Sequence, residues 1–151
     1  MSGQKPRILP PVWLLITLVM QYVAHRLVPL AELFSAPWNY SGLVLMAFGL
    51  FMSATAASLF KRADTPVVPF EKSTALVTNG WFRYTRNPMY LGMVLGCVGL
   101  AIVLGSLGAW LPLPEFILIL RQRFIRGEEA FLEGIFGEEY LRYKSKVRRW
   151  L

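Results

Sequence analysis

From Pro88 to Pro114 the chain carries no Asp, Glu, Lys, Arg or His, and from Ser41 to Phe60 it carries none either. An uncharged apolar run of about 18 residues or more is long enough to cross the hydrocarbon core of a bilayer as a helix. Charged types make up 17% and hydrophobic types 55% of the 151 residues, against about 25% and 45–50% in an average soluble domain. The mean hydropathy is +0.45. A soluble α/β enzyme, a disordered tail and a disulfide scaffold are excluded, the last because Cys97 is the one cysteine. The expectation is an all-α integral membrane protein, one membrane domain over residues 1–151.

Four crossings are predicted. The first, 8–27, follows Lys5 and Arg7; it is read as a span and not as a cleaved leader because Gln21, His25 and Arg26 stand where small residues are needed for cleavage. The second is 41–60. The third region, Pro88 to Leu120, would be about 50 Å long as one helix. It contains the breaker cluster Gly105-Ser106-Leu107-Gly108-Ala109-Trp110-Leu111-Pro112-Leu113-Pro114. A helical hairpin follows, with spans at 88–104 and 111–124. Gly92, Gly96 and Gly99 are spaced to let helix backbones approach closely.

Charge orients the set. With both termini cytoplasmic, the N-terminal segment with Lys5 and Arg7, the loop 61–87, and the tail 122–151 with the adjoining Arg121 hold every Lys and Arg except Arg26, as basic residues favour that side. Trp38 and Trp110 fall at the outer interface, Trp13, Trp81 and Trp150 near the inner one. The net charge of +7 is therefore a topology and lipid-contact signal; no nucleic-acid-reading motif accompanies it. The expected location is a bacterial inner (plasma) membrane, with the site on its cytoplasmic face.

Chemistry must lie on that inner side, because the outer loops are short. The loop holds Asn79-Gly80, a turn signal, and Asn87-Pro88, which reads as a helix N-cap followed by a proline at the first helical position. A helix start of this kind can receive a carboxylate. Alternatively, Asn-Pro only begins the helix and Arg86 reaches for lipid phosphate. In the tail, Phe131, Leu132, Ile135 and Phe136 share one face of an amphipathic helix, with Gly137 as its stop. The pair Glu128-Glu129 sits where the fourth span leaves the membrane, and Arg83, Arg86, Arg123 and Arg126 are candidate ion-pair partners. Cys97 is read as a small apolar residue, Glu115 as the water-facing outer end of span four, and His25 as carrying no metal or catalytic role; no metal site is expected.

Arg86-Asn87-Pro88-Met89-Tyr90-Leu91-Gly92, one helical hairpin, and then Glu128-Glu129 followed by Leu132, Phe136, Gly137, Glu139, Tyr140, Tyr143, Val147, Arg149 and Trp150 form an ordered set. That set resembles the isoprenylcysteine carboxyl methyltransferase family and the related membrane phospholipid methyltransferases, over about half of the chain. The resemblance implies methyl transfer from S-adenosylmethionine by an all-helical membrane protein; no Gly-x-Gly-x-x-Gly of a Rossmann domain is present. Carried over by position, it implies cofactor contacts at Thr74, Ala75, Leu76, Val77, Phe82, Asn87, Pro88, Met89, Tyr90 and Glu128. An arginine just before the Glu-Glu pair orients the acceptor in that family, which falls on Arg123 or Arg126 here. Asn87 and Thr74 depart from histidines of the family pattern, which weakens the case for a prenylcysteine substrate. The implied acceptor is lipophilic and bears a carboxylate, a thiol or a lipid amine. Two other readings remain: a membrane scaffold binding anionic lipid through its basic tail, and a reductase of the sterol reductase type.

Overall fold

A computed structural model describes residues 8–64 and 75–151. The helices are α1 (Pro10–Leu27), α2 (Ser41–Arg62), α3 (Pro88–Leu104), α4 (Pro112–Ile119), α5 (Arg126–Phe136) and α6 (Glu138–Lys146). Among the described residues there is no strand, only an isolated antiparallel bridge between Glu32 and Ser106. The expected all-helical class is therefore met. Trp38–Arg62 is long and apolar enough to cross a membrane, with a mean hydropathy of 2.0. The shorter α3 is also apolar.

Helix limits follow the local chemistry. Prolines at the first helical positions start α1, α3 and α4, where a missing N–H costs nothing and φ is already helical. α3 spans the residues expected of the third crossing and stops at Gly105, whose φ of 77° is left-handed, a conformation glycine adopts without a Cβ clash. The fourth element differs from expectation. α4 does not stop before the tail helix but runs through a π-helical turn, Leu120–Ile125, into α5. The predicted span 111–124 is thus the first part of a longer helical rod. Leu120, Phe124 and Ile125 of that turn are buried, and their burial keeps the rod continuous. The amphipathic tail is two helices, divided at Gly137 (φ 49°), the predicted stop.

α3 packs most extensively on α2. The two run antiparallel, with Gly42 against Gly99 and Gly49 against Gly92; a Cβ on any of the four would run into backbone of the facing helix. Small residues let backbones meet where no larger side chain fits. Of the three expected glycines of α3, Gly92 and Gly99 admit no Cβ, whereas a Cβ on Gly96 would meet nothing within 4 Å even though the Gly96 backbone nitrogen lies against Gly49. Seven residues are nearly two full turns, so Gly92 and Gly99 share a face.

On α3's other side lies the core: Tyr90 and Cys97 pack with Leu113, Phe116, Leu120, Phe124 and Ile125, flanked by Trp13, Trp110 and Trp150. Cys97 is fully buried and unbridged, as a small apolar residue would be. Gln21 of α1 donates to the carbonyls of Cys97 and Ala109, both at 3.0 Å. The loops at that end are stitched backbone to backbone, Leu107 N–H to Ala31 O (2.8 Å) and Gly108 N–H to Pro29 O (3.1 Å). Glu115 is exposed, and His25 shares a hydrogen bond with the Ser106 hydroxyl, at 2.9 Å. Among the described residues no group of His, Cys, Asp and Glu could hold a metal.

Candidate active site

At the start of α3 the loop before it, α5 and α6 enclose a cleft of roughly 600 Å³, its open mouth included. Ala75, Leu76 and Val77 line one wall, with Phe82 from a 3-10 turn, Gly80–Arg83. Asn87, Pro88, Met89 and Tyr90 supply the next wall, and Glu128 of α5 faces them. Every described residue expected as a cofactor contact lines this one cleft; Thr74 lies outside the described residues.

The cleft is closed by a direct bond between its two halves. Tyr90 Oη donates to Glu128 Oε1 at 2.6 Å. Burial raises the Glu128 carboxyl to about 7; the bond from Tyr90 opposes that rise, and the neighbouring Glu129 charge adds to it. Glu128 is therefore an acceptor poised to gain or lose its charge near neutrality.

Its neighbour behaves oppositely. Glu129 receives Arg149 Nε at 2.9 Å and Nη2 at 2.6 Å, and Arg86 Nη2 at 3.1 Å. Burial alone would raise its carboxyl, but the Arg149 hydrogen bonds and the Arg86 and Arg149 charges hold it below the usual carboxylate range. Two adjacent glutamates on one helix thus divide the work. One is fixed as an anion, the other kept responsive.

Arg86 was expected as an ion-pair partner and not as a wall of the site. It lines the cleft, and its Nε and Nη1 are buried with no hydrogen-bond partner. A guanidinium held by one nitrogen with two others unspent is a receptor for an anion. Asn87 also departs from expectation. Its side chain does not cap α3; Nδ2 donates instead to Arg149 O at 2.9 Å. Thr85 Oγ1 donates to that same carbonyl at 3.1 Å, and Arg86 N–H donates to Arg148 O at 3.0 Å. The C-terminal segment of residues 147–149 is thereby tied to the helix start. The first-turn amides of Met89 and Tyr90 are consequently not spent on a side-chain cap.

Arg123 and Arg126 are corrected. Both are exposed and neither lines the cleft; the Arg123 guanidinium lies over the Trp13 ring, 5.5 Å from its centroid. At about 100° per residue, Arg126 falls almost opposite Glu128 on the helix. The cation at the site is Arg86. Tyr140 and Tyr143 also line the cleft, and Tyr143 Oη donates to Phe82 O at 2.7 Å, holding α6 against the loop. Burial raises both phenols above their ordinary value, Tyr140 to about 12. Their ring spacing in the sequence was visible, but their shared target was not.

A model of the phospholipid methyltransferase family matches residues 38–139. The chain belongs to that family of methyltransferases. A probable protein-S-isoprenylcysteine O-methyltransferase of Oryza sativa subsp. indica is 33% identical over 120 residues, 75% of this chain and 60% of the relative. The protein-S-isoprenylcysteine O-methyltransferase of Schizosaccharomyces pombe is 30% identical over 115 residues, 73% of this chain and 48% of the relative. An uncharacterised protein of Haemophilus influenzae is 49% identical over 63 residues, 42% of this chain and 100% of that protein. The chain spans roughly half the length of the two named methyltransferases. No solved structure matches. The cleft joins the motif Arg86 to Gly92 and the Glu128-Glu129 pair, both of which lie within the residues matched to this methyltransferase family.

Proposed function

We propose that this protein transfers a methyl group from S-adenosylmethionine to a lipophilic acceptor at the cytoplasmic face of a membrane that it crosses four times. The carrying observation is the Tyr90–Glu128 bond of 2.6 Å, which brings the segment before α3 and the acidic start of α5 to one small cleft. The donor supplies an electrophilic methyl group on a sulfonium. The residues present suit such a molecule on three counts. Arg86 offers unspent buried N–H groups to a carboxylate, and the uncapped start of α3 adds amides beside it. Glu128 accepts from an ammonium or a ribose hydroxyl. Phe82 and Tyr90 are buried aromatic rings, suited to an adenine or, through their faces, to a cation.

The protein's own contribution is positioning and dryness. Glu129 fixes Arg86, Arg149 neutralises Glu129, and the tyrosines of α6 close the wall, so that a nucleophile admitted to the cleft meets a fixed frame. Excluding water protects a cationic donor from hydrolysis and strengthens each charge contact. A carboxylate acceptor needs no general base, whereas an amine has to shed a proton. The exposed apolar surface of α1 and α2 suits an acceptor that arrives sideways from lipid.

The test is S-adenosylhomocysteine binding to the detergent-purified protein, followed by labelled-methyl transfer into a membrane extract with mass identification of the product. Micromolar binding is expected, weakened at least about tenfold by Glu128→Gln, the scale of a lost charge-assisted bond. Unchanged binding in that variant, or none in the parent protein, overturns the proposal.

A further inference from the structure

Away from the cleft, a second groove lies between the end of α2 and the turn that follows Asn79. Its walls are Thr55, Ser58, Arg62, Trp81, Arg83 and Tyr84. Arg62 and Arg83 are exposed, and no Asp or Glu among the described residues lines the groove. Its aromatic wall is fixed: Trp81 Nε1 donates to Thr55 Oγ1 at 2.8 Å, and the Trp81 ring meets Phe48 edge to face at 6.0 Å. Gly80, with φ at 57°, lets the turn press onto Leu59. The turn therefore sits against α2 as a formed wall.

The groove does not end in water. Thr55, Phe51, Phe48 and Val44 succeed one another at spacings of four, three and four residues and so share one face of α2. Phe51, Phe48 and Val44 are exposed on that face, along a helix apolar and long enough to cross a bilayer. Two guanidiniums thus stand at the end of an exposed apolar track. Free phosphate would use the arginines and leave the track bare, and a neutral lipid would use the track and leave the arginines without a counter-charge. Guanidinium forks match phosphate oxygens, and basic residues at a membrane surface each gain about 1 kcal/mol from anionic lipid.

We infer that the Arg62–Arg83 groove binds an anionic phospholipid, its phosphate between the two arginines and its acyl chains along the Val44–Phe48–Phe51 face of α2. The site is separate from the cleft and independent of methyl transfer; it rests only on α2 lying in a bilayer. Tyr84, 70% exposed, closes the headgroup side, as amphipathic rings do at an interface.

Native mass spectrometry of the full chain in detergent, titrated with dioleoyl-phosphatidylglycerol, tests it. One tightly held lipid is expected, with affinity at least about fivefold above that for dioleoyl-phosphatidylcholine and no displacement by millimolar inorganic phosphate. Arg62→Gln with Arg83→Gln should lower the phosphatidylglycerol affinity at least about fivefold. Arg142→Gln with Lys146→Gln, which removes charge from the tail, should leave it unchanged. If the double arginine variant does not fold, Arg62→Gln alone, at an exposed helix end, should still show a partial loss. Equal binding of the two lipids, displacement by phosphate, or loss in the tail variant with none in the arginine variants overturns the inference.

Discussion

Helix α3 meets its neighbours by two opposite kinds of contact. Along its flank it touches α2 through Gly92 and Gly99 against Gly49 and Gly42, a seam without charge whose main requirement is absence of volume, joined by a hydrogen bond from Ser53 Oγ to Met89 O at 3.0 Å. At its first turn it touches α5 and the C-terminal segment through Tyr90–Glu128, Arg86–Glu129 and Asn87–Arg149, a joint in which every contact needs a particular donor or acceptor. The seam tolerates no atom added. The joint tolerates no atom exchanged. A rigid flank and a polar end on one helix give a site whose walls are held still while its charges stay available.

The largest expected effect breaks the polar joint. Glu129→Ala leaves Arg86 buried without its carboxylate, and removing one partner of a buried pair costs about 3–5 kcal/mol. Thermal unfolding in detergent should show it, and acid should mimic it. Because the folded Glu129 carboxyl is held below its ordinary value, its contribution is present at neutral pH and lost as pH falls through that lowered value. An unfolding midpoint in the variant equal to that of the parent would mean that the joint carries no stability.

Next comes the seam, where one substitution gives opposite signs at two glycines. Gly92→Ala drives a Cβ into the Gly49 carbonyl and the Ser53 hydroxyl, and overpacking of this kind costs about 1–3 kcal/mol. Gly96→Ala meets nothing and gains up to about 1 kcal/mol from helix propensity. The same melting measurement checks both; equal changes at the two positions would abolish the distinction between seam and free face.

The smallest effect sharpens the contrast within the joint itself. With Glu128 raised to about 7, the carboxylate form grows as pH passes from 6 to 8, and S-adenosylhomocysteine binding should tighten over that interval by about tenfold or less. Glu128→Gln should flatten the profile. A profile unchanged by the substitution assigns the titration to another group.

Much of this was legible along the chain because it depends on neighbours in sequence. Proline at position 88 starts a helix and Gly105 ends it for reasons of backbone geometry alone, and the stop at Gly137 has the same origin. The meeting of the Arg86–Gly92 motif with Glu128 came from a resemblance, and the cleft contains both. The role of Arg149 was not legible. Nothing local says that a residue after α6 will return to the start of α3, draw Asn87 away from capping it, and complete the Arg86–Glu129 pair. Arg123 and Arg126 stand closer to Glu128 in sequence and farther from it around the helix, a distinction that periodicity could have drawn.

The sequence by itself determined that the chain is helical, where most of its helices begin and end, and which segments lack the charge to face water, because apolar periodicity and backbone punctuation act over a few residues. Only the tertiary structure decided which of two adjacent glutamates becomes a fixed anion and which stays near neutrality. That choice depends on the distance to Arg86, Arg149 and Tyr90 across the fold, and electrostatics in a buried site is governed by separation in space, not along the chain.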